Sequence, residues 1–388
     1  MFIKVFYFTY LIIGLHTVSL FSASAFFGDP PDDNHPWAVH DRNRPQPIHV
    51  VAGTTNSAPP SDALVLFDGT PDCLRNWRHN KDKDSRKSDW MIQNGSLFCP
   101  PGTGSLSSRA TFSDCQVHLE WRSQSHENKS GQSRGNSGIF LMELIEVQIL
   151  DNFQNPTYAD GSAGSIYGVM PPAVNALKAP GNWQSYDIIY RRPIFKNGML
   201  LESGSLTVLC NGVVVQAGVP IEGKSTHKIR SFLQKKFPNR GSIKLQDHGD
   251  SVQFRNIWVR PLRARPIDGS LDGYIEANRT QLKRKQTAYE IRNKAEKLEG
   301  LEKSLLLYES LIYEFNLSAK ASANKYASEF LDYLLRIDSE QAVVQKVKII
   351  SLYNALKYLN KHSILPTSCP VLERVHSIIV TNNWIDDI

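Results

Sequence analysis

A chain of 388 residues with 41% hydrophobic content has room for two or three ordinary domains and at least one sizeable core, which excludes disorder along its whole length. Its net charge of +6 comes from 44 basic and 38 acidic residues interleaved without a basic arm or a Lys/Arg stripe carrying spaced aromatics, so nucleic acid is not an expected partner.

Residues 1–25 carry Lys4, an apolar run from Val5 to Leu20 and the small-x-small sequence Ala23-Ser24-Ala25, the pattern of a cleaved secretory signal peptide. An uncleaved anchor is the alternative, disfavoured because Gly14, His16 and Thr17 interrupt the run. No later stretch approaches the roughly 20 apolar residues that span a bilayer, so no membrane span is expected after signal cleavage. Residues 26–62 are rich in Pro, Asp, Asn and His and read as a flexible linker.

From 63 to 263 the texture changes to short alternating runs separated by Gly, Pro, Asn and Asp. In the run from Gln116 to Arg122, Val117, Leu119 and Trp121 face one way and Gln116, His118, Glu120 and Arg122 the other. Comparable runs at 138–142, 145–150, 186–190, 205–210, 213–216, 242–246 and 252–260, without helices between them, predict an all-β sandwich or jelly roll. Asn211-Gly212 between two such runs predicts a type I′ hairpin, because both central residues must accept positive φ. The five cysteines, Cys73, Cys99, Cys115, Cys210 and Cys369, lack the spacing of a zinc site; one or two disulfides are open, with Cys115 and Cys210 expected as buried thiols.

Residues 270–388 are expected to form a small α-helical bundle of unknown role. Three stripes carry that expectation: Leu301, Leu305, Tyr308, Ile312 and Phe315; then Tyr326, Phe330, Tyr333 and Ile337; then Ile349, Leu352, Leu356 and Leu359. Core packing is the simpler reading of these stripes, with a groove for a protein partner as the alternative.

The polar side chains inside apolar strands are the candidates for chemistry. Glu146 and Gln148 lie two apart among Ile145, Val147 and Ile149, so both project from one sheet face. Glu120 and Arg122 repeat the pattern on an earlier strand, and Lys244, Gln246 and His248 on a later one. Each stripe alone is by default the wet face of an antiparallel sheet; adjoining turns at 136–138, 161–164 and His248-Gly249 favour convergence on one concave, ligand-binding surface. Trp183 and Tyr167 are either sugar-stacking platforms or rim-packing aromatics.

LFDG (Leu66 to Gly69) with Trp77, then RGNSGIFL, IEVQILD, AGSIYG, PGNWQSYDI, NGVVVQ and LQDHGDSVQFRNIWVRPL follow in order up to Leu262. Together they resemble the 3-keto-disaccharide hydrolase family, long a domain of unknown function. The resemblance implies a concanavalin A-like jelly-roll β-sandwich, followed here by the α-helical region, and an exported bacterial enzyme, secreted or periplasmic, that acts on oligosaccharides or glycosides oxidised at C3. A ketone at C3 acidifies the C2 proton, so one general base forms an enolate that expels the anomeric substituent, and water then adds to the enone. Retaining hydrolysis would instead call for two carboxylates on one face, about 5–5.5 Å apart; Asp151 lies an odd number of residues from Glu146 and faces away.

By resemblance and strand face, Glu146 or His248 is the expected acid or base. Arg122 or a bound divalent metal ion stabilises the enolate, and Glu120, Asn136, Gln148, Tyr167, Trp183 and Asp247 position the sugar. Glu146 has a second reading as a partner for Arg122, and Asp247 as a tie on its own turn or a partner of Arg255; His227 reads as a solvated surface residue, with a remnant of a binding loop as the alternative. Two departures stand out: Leu144-Ile145 replaces an Arg-Tyr pair common before the strand glutamate, and the 221–241 loop is unusually basic. A non-catalytic lectin-like module with a helical docking tail is the alternative function, and a cell-envelope structural protein a third.

Overall fold

The computed structural model describes residues 28–80, 89–124, 128–366 and 368–385, so the expected signal peptide lies outside the described residues. The chain divides into two compact units, Ile48–Ala264 and a second in which Arg265–Ile388 is joined by the stretch ending at Pro47.

In the first unit the alternating runs become strands β1 (Leu64–Phe67), β2 (Trp77–His79), β3 (Met91–Gln93), β4 (Ser96–Phe98), β5 (Leu106–Phe112), β6 (Cys115–Ser123), β7 (Ser137–Leu141), β8 (Ile145–Ile149), β9 (Gln184–Arg191), β10 (Ile194–Lys196), β11 (Met199–Glu202), β12 (Ser205–Cys210), β13 (Val213–Pro220), β14 (Gly241–Leu245) and β15 (Val252–Pro261). Sheet A runs β13-β12-β9-β6-β15-β4-β3 with β1 also on β15, sheet B runs β2-β5-β14-β7-β8, and β10 and β11 pair separately. Val117, Leu119 and Trp121 of sheet A share one buried cluster with Leu106, Ile139, Val147 and Leu245 of sheet B, so each sheet turns its apolar face inward. This is a jelly-roll β-sandwich. Each such fully buried aliphatic side chain contributes about 1.5–3 kcal/mol.

Inside the core Trp121 meets Tyr186 edge to face at 5.6 Å, and the Tyr186 hydroxyl donates to the Gln148 carbonyl at 2.8 Å. That bond ties β9 to β8 and fixes the strand that carries Glu146. Asn211 and Gly212 both have positive φ, 51° and 81°, and connect Cys210 to its partner Val213 as the type I′ signal requires. All five cysteines are free and buried.

The segment read as a flexible linker is tied down at both ends. Trp37 enters the helical core and Asp41 accepts from the Tyr313 hydroxyl at 2.7 and 2.6 Å and from the backbone N–H of Ala38 and Asn43. Buried Glu309 accepts from Asn43 and Arg42. Nearer the sandwich, the Ser57 carbonyl accepts from Asn256 Nδ2 and Trp258 Nε1 at 2.8 and 2.9 Å. Composition marks this stretch as polar, but polar residues that are hydrogen-bonded inside a core are ordered by it.

The helical unit comprises α1 (Ala277–Ala295), α2 (Gly300–Tyr313), α3 (Leu317–Leu334), α4 (Ser339–Val344), α5 (Lys346–Lys361) and α6 (Pro370–Thr381). Ile349, Leu352, Leu356 and Leu359 form the buried stripe of α5, as their spacing predicts. On α3 the buried seam is instead Ala319, Ala323, Ala327 and Leu331, with Tyr333 exposed. Small side chains at every fourth position let α3 sit close to α2, where Ser304 Oγ reaches the Ala323 carbonyl at 2.8 Å, and the larger aromatics are pushed to the flank. Phe315 lies beyond the end of α2 and is exposed. No helix among the described residues is long and apolar enough to cross a membrane.

Candidate active site

Strand register places the polar side chains of sheet B on its outer face in two rows. Phe140 pairs with Glu146 on one side and Lys244 on the other, and Lys244 continues to Ser107. One step along, Gly138 pairs with Gln148, and the Gln246 N–H donates to the Gly138 carbonyl at 2.9 Å. The free edge of β8 is closed by the AGSIYG segment. Val147 and Ile166 form an antiparallel bridge, with Gln148 N–H donating to the Ser165 carbonyl and Tyr167 N–H to the Glu146 carbonyl. Since Val147 and Ile166 both point into the core, Tyr167 stands directly opposite Glu146 on the outer face.

Four buried polar atoms in these rows have no hydrogen-bond partner among the described residues: Gln148 Oε1, Gln246 Oε1, Ser107 Oγ and Ser165 Oγ. An unmet buried donor or acceptor costs about 1–3 kcal/mol, and these four would be met by water or by a polar ligand. Glu146 is 5% exposed, and burial pushes its pKa up to about 8, offset in part by the charge of Lys244. Burial pulls Lys244 the other way, below its ordinary value, opposed by Glu146 and Glu143. The two side chains are two strands apart, about 10 Å between Cα positions, and form no direct pair. Between them Phe140 is an apolar floor with Lys244 Nζ 3.4 Å from its ring centroid.

Gly138 is required where it stands. A Cβ there would come within 2.2 Å of Glu146 Oε1, so the carboxylate lies across β7 because that strand offers no side chain. Gly138 has no positive φ, so G138A is expected to keep the fold. It should displace the carboxylate and lower kcat by about 10²-fold. Steady-state rates beside a thermal unfolding midpoint check this; loss of both together would mean simple misfolding.

Tyr167 hydrogen-bonds the Tyr158 hydroxyl at 2.9 Å and His227 Nδ1 at 2.8 Å. Burial, the Tyr158 hydroxyl and the Glu146 charge all raise the Tyr167 pKa, so the phenol stays protonated and serves as a donor. His227 is thus engaged with Tyr167, which its position in a polar loop did not announce.

The other expected site residues are distributed differently. Asn136 supports the site indirectly: its Nδ2 donates to the Gln132 carbonyl at 2.8 Å, and Gln132 Oε1 accepts from Gln148 Nε2 at 3.1 Å. Asp247 accepts from Gly249 N–H in its own turn and from Gly104 N–H in the loop before β5, so it ties the two loops together. His248 follows it, exposed at the rim, and no hydrogen bond reaches its ring among the described residues. Glu120, Arg122 and Trp183 are not with Glu146 at all. Val117, Leu119 and Trp121 fill the core, so Glu120 and Arg122 project from the outer face of sheet A, with the whole sandwich between them and Glu146. There Arg122 and Arg255 stack on Trp183 at 4.7 and 4.2 Å, occupying the indole that a sugar would need. His118, 4.0 Å away, then hydrogen bonds from Asn256 and Arg255, pull Glu120 down to about 2 against the effect of burial. That carboxylate is a structural anion.

With Arg122 on the other sheet, the cation on this face beside Phe140 is Lys244, detectable in sequence as the residue two before Gln246 on the same face. Among the described residues no three His, Cys, Asp or Glu side chains converge as metal ligands. The donors around Glu146 are amides, hydroxyls and an ammonium, a set that does not fit a divalent ion.

Residues 62–260 match the model of the 3-keto-alpha-glucoside-1,2-lyase-like domain. A 3-keto-disaccharide hydrolase of Bacteroides thetaiotaomicron is 25% identical over 246 residues, covering 51% of this chain and 78% of that protein. A solved structure from Parabacteroides distasonis, provisionally described as a glycosyl hydrolase, is 40% identical with a TM-score of 0.52, covering 56% of this chain and 93% of that one.

Proposed function

The chain belongs to the 3-keto-alpha-glucoside-1,2-lyase-like family, and from that premise we propose that it cleaves the glycosidic bond of 3-keto-glycosides on the outer face of sheet B. The observation that carries this reading is one buried carboxyl, Glu146, with its pKa raised to about 8 and an ammonium across the same face, while the Glu143 carboxylate near that ammonium is paired with Arg78.

In the proposed reaction Glu146 takes the C2 proton, and the electron pair moves into the C2–C3 bond and onto the C3 oxygen, where Lys244 stabilises the enolate. The enolate re-forms the ketone as the C1–O bond breaks, and Tyr167 delivers its proton to the leaving oxygen, backed by Tyr158 and His227. Water then adds to C1 of the enone, giving its proton back to the Tyr167 phenolate, and Glu146, whose proton has exchanged with solvent while the enone is bound, protonates C2. Gln148, Gln246, Ser107 and Ser165 supply hydrogen bonds to the sugar hydroxyls. The amino-terminal apolar run ending in Ala23-Ser24-Ala25 supports export as part of the same reading.

Turnover tests it: the protein should release the leaving group from a chromogenic 3-keto-glucoside and leave the unoxidised parent glucoside intact, since only the ketone acidifies C2. Equal hydrolysis of both, or of neither, would overturn the proposal.

A further inference from the structure

Beside Glu146, on the far side of Tyr167, opens a cavity of about 500 Å³. This is the size of pocket that takes a sugar or an aromatic ring. One wall is aromatic: Tyr158 and Tyr167 meet edge to face at 6.4 Å, and His227 lies nearly parallel to Tyr167 at 6.5 Å. The opposite rim comes from the loop after β13 and carries Lys228 and Arg230, with Asp160 as the acidic lining residue. Neither Lys228 nor Arg230 makes an ion pair among the described residues. Between Glu222 and Arg240 six Lys and Arg residues face that one glutamate in sequence, so the excess positive charge is a property of the whole loop.

The loop is docked at the reactive strand: Ser225 N–H donates to the Leu144 carbonyl and Ser225 Oγ accepts from Glu146 N–H at 2.9 Å. Lys228 itself holds a left-handed backbone, φ 57°, a conformation that L residues adopt sparingly. Unpaired cations over an aromatic wall are complementary to a planar or ring-shaped anion.

We propose that this cavity is the leaving-group subsite and that it selects glycosides whose leaving group bears a carboxylate, as in an acidic sugar or an aromatic acid. The inference rests on the reading of sheet B as the site of glycoside cleavage, and Tyr167, which lines the cavity and faces Glu146, is the joint between the two. The carboxylate lies between Lys228 and Arg230, and the ring it is attached to lies on Tyr158 and Tyr167.

The test uses binding, so that it does not depend on turnover. Calorimetry on the full chain compares unoxidised 4-carboxyphenyl glucoside with its methyl ester. The acid is expected to bind about tenfold more tightly at low ionic strength, and the preference should shrink at high salt. In K228Q/R230Q the ratio should fall to near one. R230Q alone, at an exposed position, should lower it part-way and serves if the double variant does not fold. A ratio of one in the wild type, or a preference that survives the substitutions, overturns the inference. Absence of 3-keto-glycoside turnover would instead sink the proposed reaction and leave this ratio to decide the subsite.

Discussion

Replacing Glu146 by Gln should abolish 3-keto-glycoside cleavage while leaving the sandwich folded, with kcat lower by about 10³-fold, the scale of a lost general base. The amide matches the carboxyl in size and meets the same gap over Gly138, so sugar binding should persist and the loss should appear in kcat. A glycan-binding module would show no turnover before or after the change. In the wild type, kcat/KM should rise with pH to a plateau above about 8, because the base works only when ionised and burial holds its pKa there. The same group makes a stability prediction of opposite sense. The folded-state pKa is about 8 against 4.5 for the free carboxyl, so between those values the folded protein holds a proton that the unfolded chain has lost. Wild-type stability therefore declines as pH rises through that window, by up to a few kcal/mol at about 1.4 kcal/mol per pH unit. E146Q lacks this slope and should be the more stable protein at pH 8–9, with a higher unfolding midpoint. Equal stability of the two across the window would show that the carboxyl is not shifted.

K244M should be the next most damaging change, lowering kcat/KM by about 10²-fold through loss of the cation that meets the enolate. It carries a signature that a merely structural role would not. Lys244 favours the ionised form of Glu146, so its removal should push the carboxyl higher still and displace the rising limb of the pH profile upward. Methionine keeps the stem over Phe140, which limits the damage to packing. An unchanged pH profile in a folded K244M protein would remove Lys244 from the site.

Alternation in sequence told which residues share a face of one strand, and for β8 that was enough: Glu146 and Gln148 do stand together. It could not say which sheet a strand joins. The stripe of Glu120 and Arg122 looks the same, yet β6 is a central strand of sheet A and β8 is the edge of sheet B. Sheet membership is set by pairings between residues far apart in the chain, and strand parity is silent on these. Tyr167 was legible as a polar aromatic, but its place opposite Glu146 depends on an isolated bridge between Val147 and Ile166. Trp183 was misleading for a similar reason, because the arginines that cover it come from β6 and β15. The linker reading failed on three residues: Trp37, Asp41 and Ser57 bind surfaces that composition does not reveal. The aromatic stripe of α3 marks only the flank of its contact, where Tyr326 and Phe330 pack against the core, because small residues can define a helix contact more tightly than large ones do.

The central claim is that the C2 proton leaves before the glycosidic bond breaks, and cleavage of a 3-keto-glucoside in D2O tests it most directly. If Glu146 removes that proton, exchanges it with solvent while the enone is bound and then protonates C2, the released 3-keto-sugar carries deuterium at C2 as it forms. Release of the leaving group with hydrogen retained at C2 would contradict the account.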